Sequence, residues 1–121
     1  MPKKRTFQRA DRLSKQLLQV LSEALLTQVR DPRVSSVQVS AVDITADLSY
    51  ARVFYILLDA THPSDEVQRA LERAAGFLRS HVGQELRLRH IPELIFAYDE
   101  SVERGRRMEQ LLAGLHPHEE E

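Results

Sequence analysis

Residues 50–58 read Tyr50-Ala51-Arg52-Val53-Phe54-Tyr55-Ile56-Leu57-Leu58. Apolar side chains occupy both alternating phases, which reads as a central strand covered on much of both sides. Just upstream, Val37, Val39 and Ala41 alternate with Ser36, Gln38 and Ser40, the period-two pattern of a half-buried strand. The alternation changes phase at Val42, Ile44 and Ala46, which predicts a bulge near Ala41-Val42. Asp47-Leu48-Ser49 supplies the turn between these two strands. A third strand is expected at Leu94-Ile95-Phe96-Ala97-Tyr98, after the stop at Ile91-Pro92.

Helices flank this sheet in sequence. From about Arg9 to Val29, the residues Leu13, Leu17, Val20, Leu21, Ala24, Leu25 and Val29 recur at spacings of three and four, and Leu18 and Leu26 widen the stripe. Asp31-Pro32 ends that helix. Ser64 is the expected N-cap of a stretch over 65–90, with Asp65 and Glu66 in its first turn. Its apolar stripe is Val67, Ala70, Leu71, Ala74, Leu78, Val82, Leu86 and Leu88. Gly76 and Gly83 each cost ~1 kcal/mol in a helix interior, so two helices joined at Ala74-Ala75-Gly76 are expected rather than one rod. A last helix runs from Ser101 to Leu115. The order is helix, strand, strand, helix, helix, strand, helix, with no strand before the first helix, which speaks against a ferredoxin-like order. A three-stranded α+β sheet with helices mainly on one face is the simplest solution.

Composition narrows the function. The chain has 121 residues, 42% hydrophobic and 29% charged, which suits one globular domain. It has no cysteine, which excludes a disulfide framework, thiol catalysis, iron–sulfur clusters and cysteine-ligated zinc. Its longest uncharged stretches, such as Val34 to Val42, fall far below the ~20 residues needed to span a bilayer. No apolar segment of signal-peptide type follows the basic start Met1-Pro2-Lys3-Lys4-Arg5. The expectation is a soluble, cytoplasmic protein with a basic tail over 1–8, one domain over 9–115 and an acidic tail over 116–121. Net charge is −1, but residues 1–30 carry seven Lys/Arg against two acids, and residues 91–121 three against eight. Such polarity suits docking of one face on a polyanion.

Catalytic patterns are scarce. Glycines at 76, 83, 105 and 114 allow neither a dinucleotide fingerprint nor a phosphate loop. His116-Pro117-His118 lacks a third ligand apart from the tail glutamates. Asp99, Glu100 and Glu103 are candidate Mg²⁺ ligands of a nuclease, yet a strand end followed by a first helical turn suits them as caps and dipole partners. Asp43 and Asp47 suit turn chemistry. No catalytic residue, metal or cofactor is expected. The arginines Arg69, Arg73, Arg79, Arg87 and Arg89 bracket the small residues at 74–76. That segment is open to two readings: a tight helix packing point, or a place where a nucleic-acid backbone approaches helical amides while arginines meet phosphates.

Several blocks together carry a resemblance. They are Val29-Arg30-Asp31-Pro32-Arg33, Asp47-Leu48-Ser49-Tyr50-Ala51-Arg52-Val53, Ala74-Ala75-Gly76-Phe77-Leu78-Arg79, Leu88-Arg89-His90-Ile91-Pro92-Glu93-Leu94-Ile95-Phe96, and Asp99-Glu100-Ser101-Val102-Glu103-Arg104-Gly105. In that order, over about residues 8–115, the chain resembles the ribosome-binding factor A family of bacterial assembly factors. The resemblance implies a type II KH-like fold in which an Ala-x-Gly kink, here Ala74-Ala75-Gly76, replaces the usual GxxG loop. It implies a monomer that binds the immature 30S subunit and 16S rRNA and supports rRNA end maturation without being the nuclease. A role in cold adaptation and release by an assembly GTPase are implied too. The RNA-binding residues expected are Arg5, Arg9, Arg12, Lys15, Arg73, Ala74, Ala75, Gly76, Arg79, Arg87 and Arg89. The alternatives are a protein-only interaction module of the same fold and a metal-dependent ribonuclease.

Overall fold

A computed structural model describes residues 2–115, with side chains for residues 9–114. The first helix, α1, spans Pro2–Thr27. A 3-10 turn at Pro32–Val34 leads into β1 (Val37–Ile44) and β2 (Tyr50–Leu57). Helix α2 (Ser64–Leu86) carries the chain to β3 (Glu93–Tyr98), and α3 (Glu100–Leu115) follows. The sheet order is β1-β2-β3, antiparallel between the first two strands and parallel between the last two. This is the expected α+β arrangement, with β2 in the centre. The register shift lies between Val39 and Ala41, one residue ahead of the expected bulge. It brings Val42 and Ile44 onto the same face as Val37 and Val39, which is why the hydrophobic phase changes there.

That face carries the core. Ala51, Val53 and Tyr55 of β2 pack with Val37, Val39 and Ile44 of β1 and Leu94 and Phe96 of β3. Above them lie Leu13, Leu17, Leu21, Ala24 and Leu25 of α1, and Val67, Ala70, Leu71, Leu78 and Val82 of α2. Gln68 ties three elements together: its Oε1 accepts from the Tyr55 hydroxyl at 2.5 Å, and its Nε2 donates to the Phe96 carbonyl at 2.8 Å.

Five expectations are corrected. Helix α1 opens at Pro2 rather than near Arg9, and Leu26 is 78% exposed rather than part of its buried stripe. Helix α2 starts on Pro63 with no side-chain cap, so Ser64 is not its N-cap. The expected break at Ala74-Ala75-Gly76 is absent, and α2 is one continuous helix to Leu86. The buried stripe continues across the glycine, from Leu71 through Ala74 and Ala75 to Leu78. Packing on both sides outweighs the ~1 kcal/mol that Gly76 costs locally. Finally, β2 is covered on one face only. Phe54 and Ile56 are half-buried and Tyr50 is 51% exposed on the other, because α1 and α2 share a single side of the sheet.

Candidate nucleic-acid interface

The turn after α1 is locked by its own sequence. Asp31 is extended, as a residue before proline must be, and caps the 3-10 turn. Its Oδ1 accepts from the Arg33 backbone N–H and from Arg33 Nε, both at 3.0 Å, and Oδ2 accepts from Arg33 Nη2 at 2.6 Å. These bonds to Arg33 hold the Asp31 carboxyl at about 2, and the positive charge of Arg73 contributes to the same lowering. Arg73 of α2 therefore stands near this turn. Farther along, Val20, Glu23 and Thr27 of α1 and Gln28 just after it line a small cleft with His81 and Glu85 of α2. Contacts thus run in opposite directions along the two helices.

This antiparallel relation sorts the predicted residues into two groups. Arg9, Arg12 and Lys15 are exposed on α1, toward the Leu86 end of α2. Arg87 and Arg89 are exposed at that same end. Arg87 sits at the C-cap in left-handed conformation (φ 52°, ψ 47°), with its N–H donated to the Gly83 carbonyl. Glycine avoids this strain; arginine does not. Arg73, half-buried Ala74 and Ala75, and exposed Gly76 form the second group, about 20 Å from Arg87 at the ordinary helical rise. Arg5 lies among residues whose side chains are outside the described set, and His116 to His118 lie beyond it altogether.

Arg79 differs from the others. Its Nη2 donates to the Ile91 carbonyl at 2.7 Å and its Nε to the Pro92 carbonyl at 3.2 Å, with Glu93 Oε1 at 3.9 Å. This guanidinium fastens the approach to β3 against α2, and so it is a structural fork. Gly83 serves the same junction. A Cβ there would clash with Ile91 Cδ1, whereas a Cβ at Gly76 would meet nothing within 4 Å. The sequence reading missed Phe77, which is 50% exposed beside Gly76 with its ring 6.1 Å from that of His81. An aromatic residue interrupting the polar face of a helix was the available signal.

The acidic candidates have local partners. Asp99 Oδ2 accepts from the Ser40 hydroxyl at 2.6 Å, and Oδ1 accepts from the Ser101 N–H at 3.0 Å and from its hydroxyl. These bonds lower its pKa and cap α3. Glu103 pairs with Arg107 at 3.2 Å, and Glu100 lies in the first turn of α3. Asp47 accepts from Thr45 and from the Ser49 N–H in the β-turn, while Asp43 stands in β1 opposite Arg52. No helix among the described residues is long and apolar enough to cross a membrane.

The comparisons with known proteins agree with one another. A ribosome-binding factor A of Dechloromonas aromatica is 42% identical over 110 residues, spanning 91% of this chain and 89% of that protein. One from Desulfitobacterium hafniense is 40% identical over 112 residues, spanning 93% and 90%. The crystal structure of ribosome-binding factor A from Thermus thermophilus superposes with a TM-score of 0.66 at 28% identity, covering 74% of this chain and 94% of that one. The Thermus thermophilus factor as fitted into a cryo-EM map of a 30S complex gives 0.60 at 29% identity, covering 72% and 91%. With the ribosome-binding factor A family matching residues 9–112, most of its length, the chain belongs to that family.

Proposed function

We propose that the chain is a non-catalytic, cytoplasmic assembly factor that binds the immature 30S subunit through 16S rRNA. In this reading it supports rRNA end maturation, including at low temperature, acts as a monomer, and leaves with the help of an assembly GTPase. The unit that binds is one KH-like domain over residues 9–115. Gly76 is the observation that carries the RNA contact. It costs ~1 kcal/mol in mid-helix, and no neighbouring atom of the protein fills the space that its missing Cβ leaves. A residue of that kind beside exposed Arg73 suits close approach of a nucleic-acid backbone from outside. Support also comes from the relative fitted into a 30S complex.

The RNA-facing residues proposed are Arg5, Arg9, Arg12, Lys15, Arg73, Ala74, Ala75, Gly76, Arg87 and Arg89. Arg79 is omitted, because its Nε and Nη2 already hold the Pro92 and Ile91 carbonyls, which gives it a structural role. Replacing Arg12, Lys15 and Arg73 by glutamate is expected to remove the protein from the 30S fractions of a sucrose gradient while leaving its melting temperature within about 2 °C, as befits exposed positions. Cosedimentation of that variant at the wild-type level would refute the surface. If four or five phosphates are neutralised, log K falls with log salt at a slope of about −3. A flat salt dependence is the mark of the protein-only reading.

A further inference from the structure

One column of α2 carries three groups of different chemistry. Arg73, Phe77 and His81 follow one another at intervals of four residues, so they stand in a row on the helix surface. Arg73 and Phe77 lie on the solvent side, and His81 is half-buried at the edge of the cleft against α1. Phe77 is half-exposed in mid-helix, while Leu78 next to it is fully buried. The Phe77 and His81 rings are 6.1 Å apart and 19° from parallel. Gly76 removes the side chain beside Phe77, and open space lies where its Cβ would be. A planar ligand can therefore reach the phenyl ring without meeting a neighbouring side chain at that position.

Charge gives the row a direction. Arg73 is exposed at one end. At the other, Glu23 of α1 and Glu85 of α2 line the cleft beside His81. The nearby Arg69 is already paired with Asp65 at 2.7 Å. A phosphate is thus attracted toward Arg73 and repelled from the acidic cleft beside His81. The combination of flat aromatic surface, clearance and one flanking cation matches an unpaired nucleotide, which offers a planar π face and an anionic backbone.

We propose that Phe77, extended by His81, is a stacking platform for an unpaired base of single-stranded RNA, with Arg73 one turn away taking the adjoining phosphate. This rests on the RNA-binding reading above and adds to it an aromatic subsite distinct from the charged contacts. Stacking on an aromatic side chain is sequence-tolerant, so the subsite requires an accessible base rather than a particular one.

The chain has no tryptophan, so Phe77→Trp installs a single indole at the proposed platform. Two ligands are compared: an adenine-rich RNA decamer, and a strand of equal length and charge whose sugars carry no bases. The decamer is expected to quench the indole fluorescence and the abasic strand to leave it nearly unchanged. In parallel, Phe77→Ala is expected to bind the decamer roughly tenfold more weakly, with unchanged affinity for the abasic strand and an unchanged melting temperature. Phe77→Tyr is expected to retain wild-type affinity. Equal quenching by both strands, or undiminished decamer binding by Phe77→Ala, would overturn the stacking site while leaving RNA binding intact. Failure of the wild-type protein to bind either strand would overturn both readings.

Discussion

Gly76 and Gly83 lie seven residues apart in one helix and answer to opposite constraints. At Gly76 an added methyl group meets open space, so Gly76→Ala is expected to raise unfolding stability by ~0.5–1 kcal/mol, through reduced freedom of the unfolded chain. At Gly83 the methyl group would clash with Ile91 Cδ1 and come within 3.0 Å of its Cγ1, and Ile91 must move. The same substitution there is expected to give no gain in urea unfolding, and a Gly83→Ala variant as stabilised as Gly76→Ala would contradict the packing described. Asp31 supplies a pH-dependent counterpart. Its carboxyl is held at about 2, below the ordinary 3.8, first by Arg33's side chain and then by Arg33's backbone N–H. A carboxyl lowered on folding stabilises above its unfolded value, and that contribution is lost as pH falls through its folded value. Asp31→Asn is therefore expected to cost ~1 kcal/mol at pH 7, a figure reduced for partial exposure. Melts of the two proteins should converge between about pH 4 and pH 2.

At the scale of elements, α2 and its junction to β3 depend on a side chain that sequence alone had assigned to RNA. Arg79→Met leaves the Ile91 and Pro92 carbonyls without their donor and is expected to lower stability by ~1–3 kcal/mol, while Arg73→Met stays within about 0.5 kcal/mol. Equal melting temperatures for the two variants would contradict the structural fork. The strands were legible because alternation is local: Val37 to Ala41, the phase change beyond it, and Leu94 to Tyr98 each announce their face within a few residues. The continuity of α2 was not. Gly76 is a local penalty, and what overrides it is packing against residues far away in sequence, including Tyr55 and Phe96. The same limit hid the partners of Arg79, which are backbone carbonyls 12 and 13 residues on. It also hid the open face of β2, since residues 50–58 do not disclose on which side the helices settle. At the candidate interface, the separation of Arg9, Arg12 and Lys15 from Arg73 required the antiparallel packing of α1 on α2, which no local pattern discloses.

For the molecule as a whole, the function proposed above asks for binding alone. A protein that prefers one conformer of an rRNA segment ~100-fold shifts that equilibrium by about 2.7 kcal/mol, enough to favour a fold that a separate nuclease then processes. This needs no reactive group. The acidic residues best placed for metal chemistry already have partners: Asp99 is used by Ser40 and Ser101, and Glu103 by Arg107. Asp99→Ala removes both the cap of α3 and the tie from its N-terminus to β1. Its expected effect is a loss of ~1 kcal/mol in stability. Glu100→Ala and Glu103→Ala, at exposed positions, are expected to leave stability within about 0.5 kcal/mol. If the function proposed above holds, all three variants that remain folded should match the wild type in rRNA end maturation in cells. Purified protein incubated with precursor rRNA and Mg²⁺ or Mn²⁺ should yield no cleavage beyond its own stoichiometry. Turnover that disappears in the Glu100→Ala, Glu103→Ala double variant would make the protein a metal-dependent ribonuclease instead, because that variant spares the Asp99 cap and so separates lost chemistry from a lost helix.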